Sequence, residues 1–206
     1  MNEYKVTAII CAAGTGTRAG FGKNKLLAPL DGAPALWHTL KKFDMAEIDQ
    51  VIVTSSDDDL AEIKNLCEPF GYTVVMGGNS RTESVKNALA HASGEIVLIH
   101  DGARPFVKRQ LILNCIDSVK KFGSGVCAVK ATDTLVSAVL GQIGNTLDRD
   151  SAYRVQTPQG FLTEDIKRAY ELAGDGIYTD DSGVYCDFIQ PARLIEGDEE
   201  NIKLTY

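Results

Sequence analysis

Short apolar runs alternate along this chain with stretches of helical periodicity, and that alternation leaves few architectures open. Val6–Cys11, Val51–Thr54, Thr73–Met76, Ile96–His100 and Val126–Ala131 read as strands. Between them Pro34–Phe43, Leu60–Phe70, Thr82–Ala92 and Leu111–Phe122 read as amphipathic helices. Val85, Ala88, Leu89 and Ala92 fall at i, i+3, i+4 and i+7, as do Ile112, Cys115, Ile116 and Val119. A β-α-β series of this kind predicts an α/β fold, a mostly parallel sheet with helices on both faces. No repeat, low-complexity tract or long linker interrupts it, so residues 1–206 are expected to form a single domain with a substantial core.

One interval breaks the alternation. From Thr132 to Gln156 two β-prone runs, D-T-L-V-S-A-V and T-L-D-R-D-S-A-Y-R-V-Q, flank a turn containing Gly141, Gly144 and Asn145. This predicts a protruding hairpin-like arm over 132–156. A helix over Glu164–Leu172, a short helix near Asp180–Tyr185 and an edge strand around Arg193–Glu196 should follow.

In an open α/β sheet a ligand lies beyond the carboxyl ends of the strands, and four loops expected on that rim are unusual. The first is A-A-G-T-G-T-R-A-G-F-G-K-N-K-L, Ala12 to Leu26, with Gly14, Gly16, Gly20, Arg18, Lys23 and Lys25. Glycine lets backbone N–H groups approach an anion closely, and cations on the same loop suit a polyphosphate, so the chain is expected to handle a nucleotide. The Rossmann fingerprint fits poorly, because Ala19 fills the third glycine slot. The P-loop fits poorly too, since Gly22-Lys23-Asn24 lacks the magnesium-binding hydroxyl. The other loops are Gly77-Gly78-Asn79-Ser80-Arg81-Thr82, His100-Asp101-Gly102-Ala103-Arg104-Pro105 and Thr132-Asp133-Thr134. Gly77-Gly78 reads either as a plain turn before a helix started by Thr82 and Glu83, or as a ligand contact. Asp101, ending an apolar strand, needs a partner: Arg104, a metal or a ribose. Asp180-Asp181 reads as a helix N-cap or a magnesium pair.

Composition excludes other classes. A net charge of −7 argues against a nucleic-acid backbone as partner. No apolar run approaches the roughly 18–20 residues that span a bilayer, and Met1-Asn-Glu-Tyr lacks a signal-peptide pattern. The five cysteines are odd in number and scattered, and His38, His91 and His100 lack metal-ligand spacing. Reduced thiols in a cytoplasmic protein are the expectation.

The chain resembles the 2-C-methyl-D-erythritol 4-phosphate cytidylyltransferases nearly end to end. The resemblance rests on A-A-G-T-G-T-R with N-K-L, G-G-N-S-R-T-E-S-V, V-L-I-H-D-G-A-R-P-F, T-D-T-L, R-V-Q-T-P-Q-G-F, T-D-D-S and E-G-x-x-x-N-I-K-L-T, in order and spacing. Ribitol- and glycerol-phosphate-type cytidylyltransferases share most of these motifs. The H-D-G-A-R-P and A-Y-R-V-Q-T-P-Q wording is more similar to the methylerythritol enzymes. The resemblance implies a Rossmann-like nucleotidyltransferase fold and a reaction of CTP with methylerythritol phosphate. It implies Arg18, Lys25 and Lys203 as catalytic cations, and Ala12, Ala13, Gly14, Thr15, Gly16, Gly78, Arg81, Ser84, Asp101 and Ala103 around CTP. It also implies a magnesium ion held mainly by phosphates, near Asp101. The 132–156 arm would clasp a second subunit in a homodimer and carry Thr134 and Arg149 to the alcohol phosphate, with Thr157 shaping that site.

Three departures stand out. Many members have Pro-Lys-Gln where this chain has Asn24-Lys25-Leu26, which puts loop rigidity in question. Asn79 occupies a position where an acidic residue is frequent. The sequence stops at Tyr206, where relatives continue through a Pro-containing turn and a helix. Either the chain is shortened or this member lacks that helix, whose loss is expected to destabilise the strand carrying Lys203.

Overall fold

The protein is described by a computed structural model over residues 4–14, 24–176 and 178–205. Among these, seven strands form one sheet in the order β11-β7-β10-β6-β1-β4-β5. The strands are β1 (Val6–Cys11), β4 (Gln50–Ser55), β5 (Thr73–Met76), β6 (Ile96–Asp101), β7 (Ser124–Lys130), β10 (Tyr153–Leu162) and β11 (Leu194–Glu196). All pair in parallel except β10, which runs antiparallel between β6 and β7. Two small hairpins lie outside the sheet: β2 (Pro29–Leu30) with β3 (Ala33–Pro34), and β8 (Val136–Val139) with β9 (Gln142–Thr146).

The strands read as unbroken apolar runs because both faces of the sheet are covered. Alternate residues of the central strands enter different cores. Val6, Ala8, Ile10, Ile96 and Leu98 pack with Leu36 and Leu40 of α1 (Ala35–Phe43), Ile63 of α2 (Leu60–Cys67), and Ile112 and Cys115 of α4 (Arg109–Phe122). Ile9, Val97 and Ile99 face Val85 and Ala88 of α3 (Arg81–Leu89), Ile166 and Ala169 of α5 (Thr163–Ala173), and Val184 and Tyr185 of α6 (Asp181–Phe188). The expected mostly parallel, doubly covered sheet is therefore present. Gly123 ends α4 at φ +80°, a left-handed conformation costly for other residues, and its N–H closes on the Val119 carbonyl.

The interval 132–156 differs from expectation in its bounds. The turn is Leu140-Gly141, and the second hairpin strand is Gln142–Thr146, which itself contains Gly144 and Asn145. Tyr153–Gln156 is no part of an excursion: it is the start of β10. The pattern gave Tyr153–Gln156 as β-prone but missed the strand's continuation to Leu162, because buried Gln156, Thr157 and Gln159 fill its centre and their partners are remote in sequence.

Candidate active site

The carboxyl ends of β1, β4, β5 and β6 share one rim, and Asp101 stands at its centre. Asp101 ends β6 opposite Cys11, the last residue of β1. Its buried carboxylate lies 2.8 Å from Lys203 Nζ, 3.5 Å from Arg104 Nε and 3.8 Å from Arg81 Nε. Burial alone would raise the Asp101 pKa. Lys203, then Arg81 and Arg104, outweigh it and hold the group down at about 2. Of the partners left open by the sequence, Arg104 is one of three cations.

Lys203 reaches this point because its segment is tied down on both sides. The Leu204 N–H donates to the Ala103 carbonyl (2.8 Å), and Arg104 Nη1 donates to the Asn201 carbonyl (2.7 Å). Asn201 Nδ2 donates in turn to the Thr157 carbonyl (2.8 Å) and to Gln156 Oε1 (3.3 Å) of β10. Ala103, expected beside CTP, thus serves here as the acceptor that anchors Lys203. A cavity of about 320 Å³ beside this segment is lined by Arg104, Arg154, Gln156, Asn201 and Lys203, among others.

The loop after β5 folds back over β4 to reach β1. A Cβ on Gly77 would collide with the Ala13 side chain, and one on Gly78 would collide with Glu83. Glycine is required at both places before any ligand is considered. Ser84 Oγ accepts the Gly78 N–H at 2.9 Å and donates to the Ser80 carbonyl at 2.8 Å, so its hydroxyl shapes the loop. The cap of α3 is Ser80, whose Oγ accepts the Glu83 N–H, and not Thr82 as the spacing suggested.

Arg81 forms the site's far wall. Its Nη1 and Nη2 grip the two oxygens of Asp181 at 3.1 and 2.5 Å, and Tyr170 Oη donates to Asp181 Oδ1 at 2.6 Å. Burial pulls the Arg81 pKa down, but Asp181 more than reverses this and raises it. Asp180 is the N-cap of α6, accepting the Gly183 N–H at 3.0 Å. The Asp180-Asp181 pair therefore divides into a cap and a buried counter-ion. The sequence carried no signal for the second role, since Arg81 lies far away along the chain.

Ala12 and Ala13 donate their N–H groups to Thr54 Oγ1 at 3.0 and 3.3 Å. They shape the wall of the site with amides already bonded, whereas a Cβ on Gly14 would meet nothing within 4 Å. Thr15, Gly16 and Arg18 lie outside the described residues. Lys25 opens a 3-10 turn over Lys25–Leu27, directly after Asn24, whose side chain bonds the Ala12 carbonyl at 3.0 Å.

Thr157 is buried and belongs to a polar relay. Its Oγ1 accepts the Asp101 N–H (3.0 Å) and lies 3.1 Å from His100 Nδ1, while His100 Nε2 faces the Arg104 carbonyl at 3.3 Å. One pattern satisfies every atom: Nε2–H donates to the carbonyl and Nδ1 accepts the threonine hydroxyl. Burial drives the His100 pKa down to about 4 against the raising effect of Asp101. Because this value lies below the unfolded 6.5, stability from the neutral ring is complete above pH 6.5 and declines as pH falls toward 4. The gap corresponds to about 3 kcal/mol. Urea midpoints between pH 4.5 and 7, without nucleotide or metal, should fall for the native chain and stay flatter for His100→Asn. Equal slopes would remove His100 as the cause.

Thr134 and Arg149 meet each other, Arg149 Nη2 donating to Thr134 Oγ1 at 3.0 Å, but both are exposed at the base of the β8–β9 hairpin. The insertion of β10 puts two strand spacings, about 10 Å, between β7 and β6. β7 nevertheless runs parallel to β6, so the fourth loop, Thr132–Thr134, leaves the same rim as the other three and leads into the β8–β9 hairpin.

Among the described residues, no group of three or more His, Cys, Asp or Glu could hold a metal ion. The donor set at Asp101 is one carboxylate neutralised by three cations. By itself it is no cage for a divalent cation, which would have to take most of its oxygens from phosphate and water.

The family model described as 2-C-methyl-D-erythritol 4-phosphate cytidylyltransferase matches residues 6–206. A protein of that description from Geobacillus thermodenitrificans is 38% identical over 206 residues, covering 96% of this chain and 90% of its own length. One from Bacillus cereus is 35% identical over 207 residues, with 97% and 92% covered. The crystal structure of a 4-diphosphocytidyl-2C-methyl-D-erythritol synthase from Anaerococcus prevotii superposes with a TM-score of 0.85 at 32% identity. That match covers 98% of this chain and 93% of the other.

Proposed function

This chain belongs to the 2-C-methyl-D-erythritol 4-phosphate cytidylyltransferase family, and from that premise we propose that it transfers the cytidylyl group of CTP to methylerythritol phosphate. A phosphate oxygen of the alcohol phosphate attacks the α-phosphorus in line. The new P–O bond forms as the Pα–O bond to the leaving group breaks, and its electron pair departs with pyrophosphate. The nucleophile is already anionic, so no strong base is needed. The task is to assemble anions and stabilise charge moving onto pyrophosphate.

The observation that carries this reading is the meeting of two lysine-bearing segments at one rim. Lys203 is held on Asp101 beside the end of β1, and the residue preceding Lys25 is held on Ala12 at that same end. The Lys203 side chain is 41% exposed, which leaves the ammonium room to face a phosphate while it stays on Asp101. Lys25 and Arg18 complete the cationic set on the triphosphate and leaving group. The Gly77-Gly78 backbone, with Ser84 and Arg81 behind it, frames the cytosine. Unmatched buried hydrogen-bonding groups there would disfavour UTP. A bound magnesium ion would add charge neutralisation between phosphate oxygens, with Asp101 the nearby carboxylate. The basic cavity beside Arg104 and Lys203 suits the alcohol phosphate.

Pyrophosphate release from CTP with methylerythritol phosphate, against UTP and ribitol phosphate controls, tests the assignment. Equal or faster turnover of ribitol phosphate would move it to the alditol-phosphate class, and no release from any pair would end it.

A homodimer is part of this reading. On the hairpin Val139, Leu140 and Ile143 are 67, 99 and 76% exposed, which favours burial against a second copy. Thr134 and Arg149 would then hold the alcohol phosphate in the neighbour's site. Arg149→Ala should impair use of the alcohol phosphate while CTP binding persists. Heterodimers of Arg149→Ala and Lys25→Ala chains should recover up to about half of the activity per site, since mixing leaves one intact site of each pair. Verified heterodimers with no recovery would refute sharing.

Among the described residues no helix is long and apolar enough to cross a membrane. The five cysteines are free, which suits the cytoplasm.

A further inference from the structure

We propose that Asn24 is a positioning residue for Lys25, acting through a buried hydrogen-bond network anchored on Asp59. The inference rests on the cytidylyl-transfer reading and adds to it a residue with no part in nucleotide contact. Asn24 is only 3% exposed, and three of its four amide hydrogen-bonding positions are used. Nδ2 donates to the Ala12 carbonyl at 3.0 Å and to Asp59 Oδ2 at 2.9 Å, while Oδ1 accepts the Leu26 N–H at 3.1 Å. Asp59 Oδ2 also accepts from Ser56 Oγ at 2.6 Å. The Asn24 side chain thus ties the end of β1 to the start of α2, and Asp59 extends the network through Ser56 to the segment following β4.

The bonds bracket Lys25. Its predecessor is fixed to Ala12, and its successor, Leu26, is fixed to that predecessor's side chain. Lys25 accordingly begins its turn from a point defined by three elements. Asn24 has φ −63° and ψ 118°, and that φ is the one a proline ring would impose. Here hydrogen bonds to the surrounding fold hold the conformation, so loosening Asp59 should displace Lys25 without touching it.

The test compares the full chain with Asn24→Ala, Lys25→Ala and the double variant, by kcat and KM in pyrophosphate release. A misplacement of about 1 Å can cost 10²-fold. Asn24→Ala is expected to lower kcat roughly 10–30-fold and to leave the KM for CTP within about threefold. In the Lys25→Ala background it should change kcat by less than about twofold, because the group it positions is gone. Losses that multiply in the double variant would overturn the proposal. Asn24→Asp sets acceptors face to face with both Asp59 and the Ala12 carbonyl, and adding Asp59→Asn restores the donor to the first of these contacts, so partial recovery reports that link alone. Recovery of kcat in that pair over Asn24→Asp alone is expected, and no recovery would break the link to Asp59. This near-isosteric pair also decides the matter if Asn24→Ala fails to fold. An inactive native chain would instead remove the premise, and this inference with it.

Discussion

Replacement of Lys25 by alanine is expected to lower kcat by roughly 100- to 1,000-fold, the scale of removing one preorganised stabilising group. The expectation follows from the kind of chemistry at stake. In-line transfer between phosphates moves negative charge onto the leaving pyrophosphate, and a fixed ammonium stabilises that charge more than it stabilises bound CTP. Lys25 leaves a turn anchored by buried Asn24, so its ammonium would require little reorganisation as charge develops. The KM for CTP should therefore change far less than kcat. Lys25→Arg should recover only part of the rate, because a planar fork replaces a compact point charge. Steady-state and single-turnover pyrophosphate release would measure both. Near-native turnover by the alanine variant would take Lys25 out of the mechanism.

Removing Arg81 should have the largest effect on stability. Asp181 is fully buried, and Arg81 is about a quarter exposed, with a side-chain value of 26%. Deleting the guanidinium would strand the Asp181 carboxylate with Tyr170 as its remaining charge-stabilising side-chain partner among those observed. Breaking a buried pair in this way costs about 3 kcal/mol, the lower end of the usual span because of Arg81's partial exposure. It also withdraws one of three cations from Asp101. Arg81→Ala should shift the urea midpoint accordingly and weaken CTP binding. Replacing both partners with apolar residues, as in Arg81→Met with Asp181→Leu, should restore much of the stability but none of the binding. An unchanged midpoint for Arg81→Ala would show that the pair does not hold α3 and α6 together.

Much of the framework was legible because buried parallel strands write themselves as apolar runs. β1, β5 and β6 coincide with their expected spans or differ by one residue, and the helices by one to three. β10 was legible only at its start, Tyr153–Gln156, which was read as part of the arm, and the rest was hidden for a physical reason. Its polar centre is satisfied by the segment carrying Asn201 through Gln156 and by the start of α6 through Gln159. Side chains that serve as tertiary hubs break the very alternation by which a strand is recognised. The same holds at the site. Lys25 and Asp101 stood out as charged residues in unusual loops, whereas Lys203 was marked only by the resemblance in N-I-K-L-T. Asp181, Thr54 and Asn24 act through partners that local pattern could not supply.

The Asp101–Lys203 contact joins residues separated by 102 positions. Contacts of such high order form late and with a large loop-closure cost. This ion pair therefore cannot form in any nascent half of the polypeptide, and on the proposed reading nucleotide affinity should emerge only with completed topology. Ligand capture during refolding would then report global assembly, making CTP a natural probe of whether the last segment has docked.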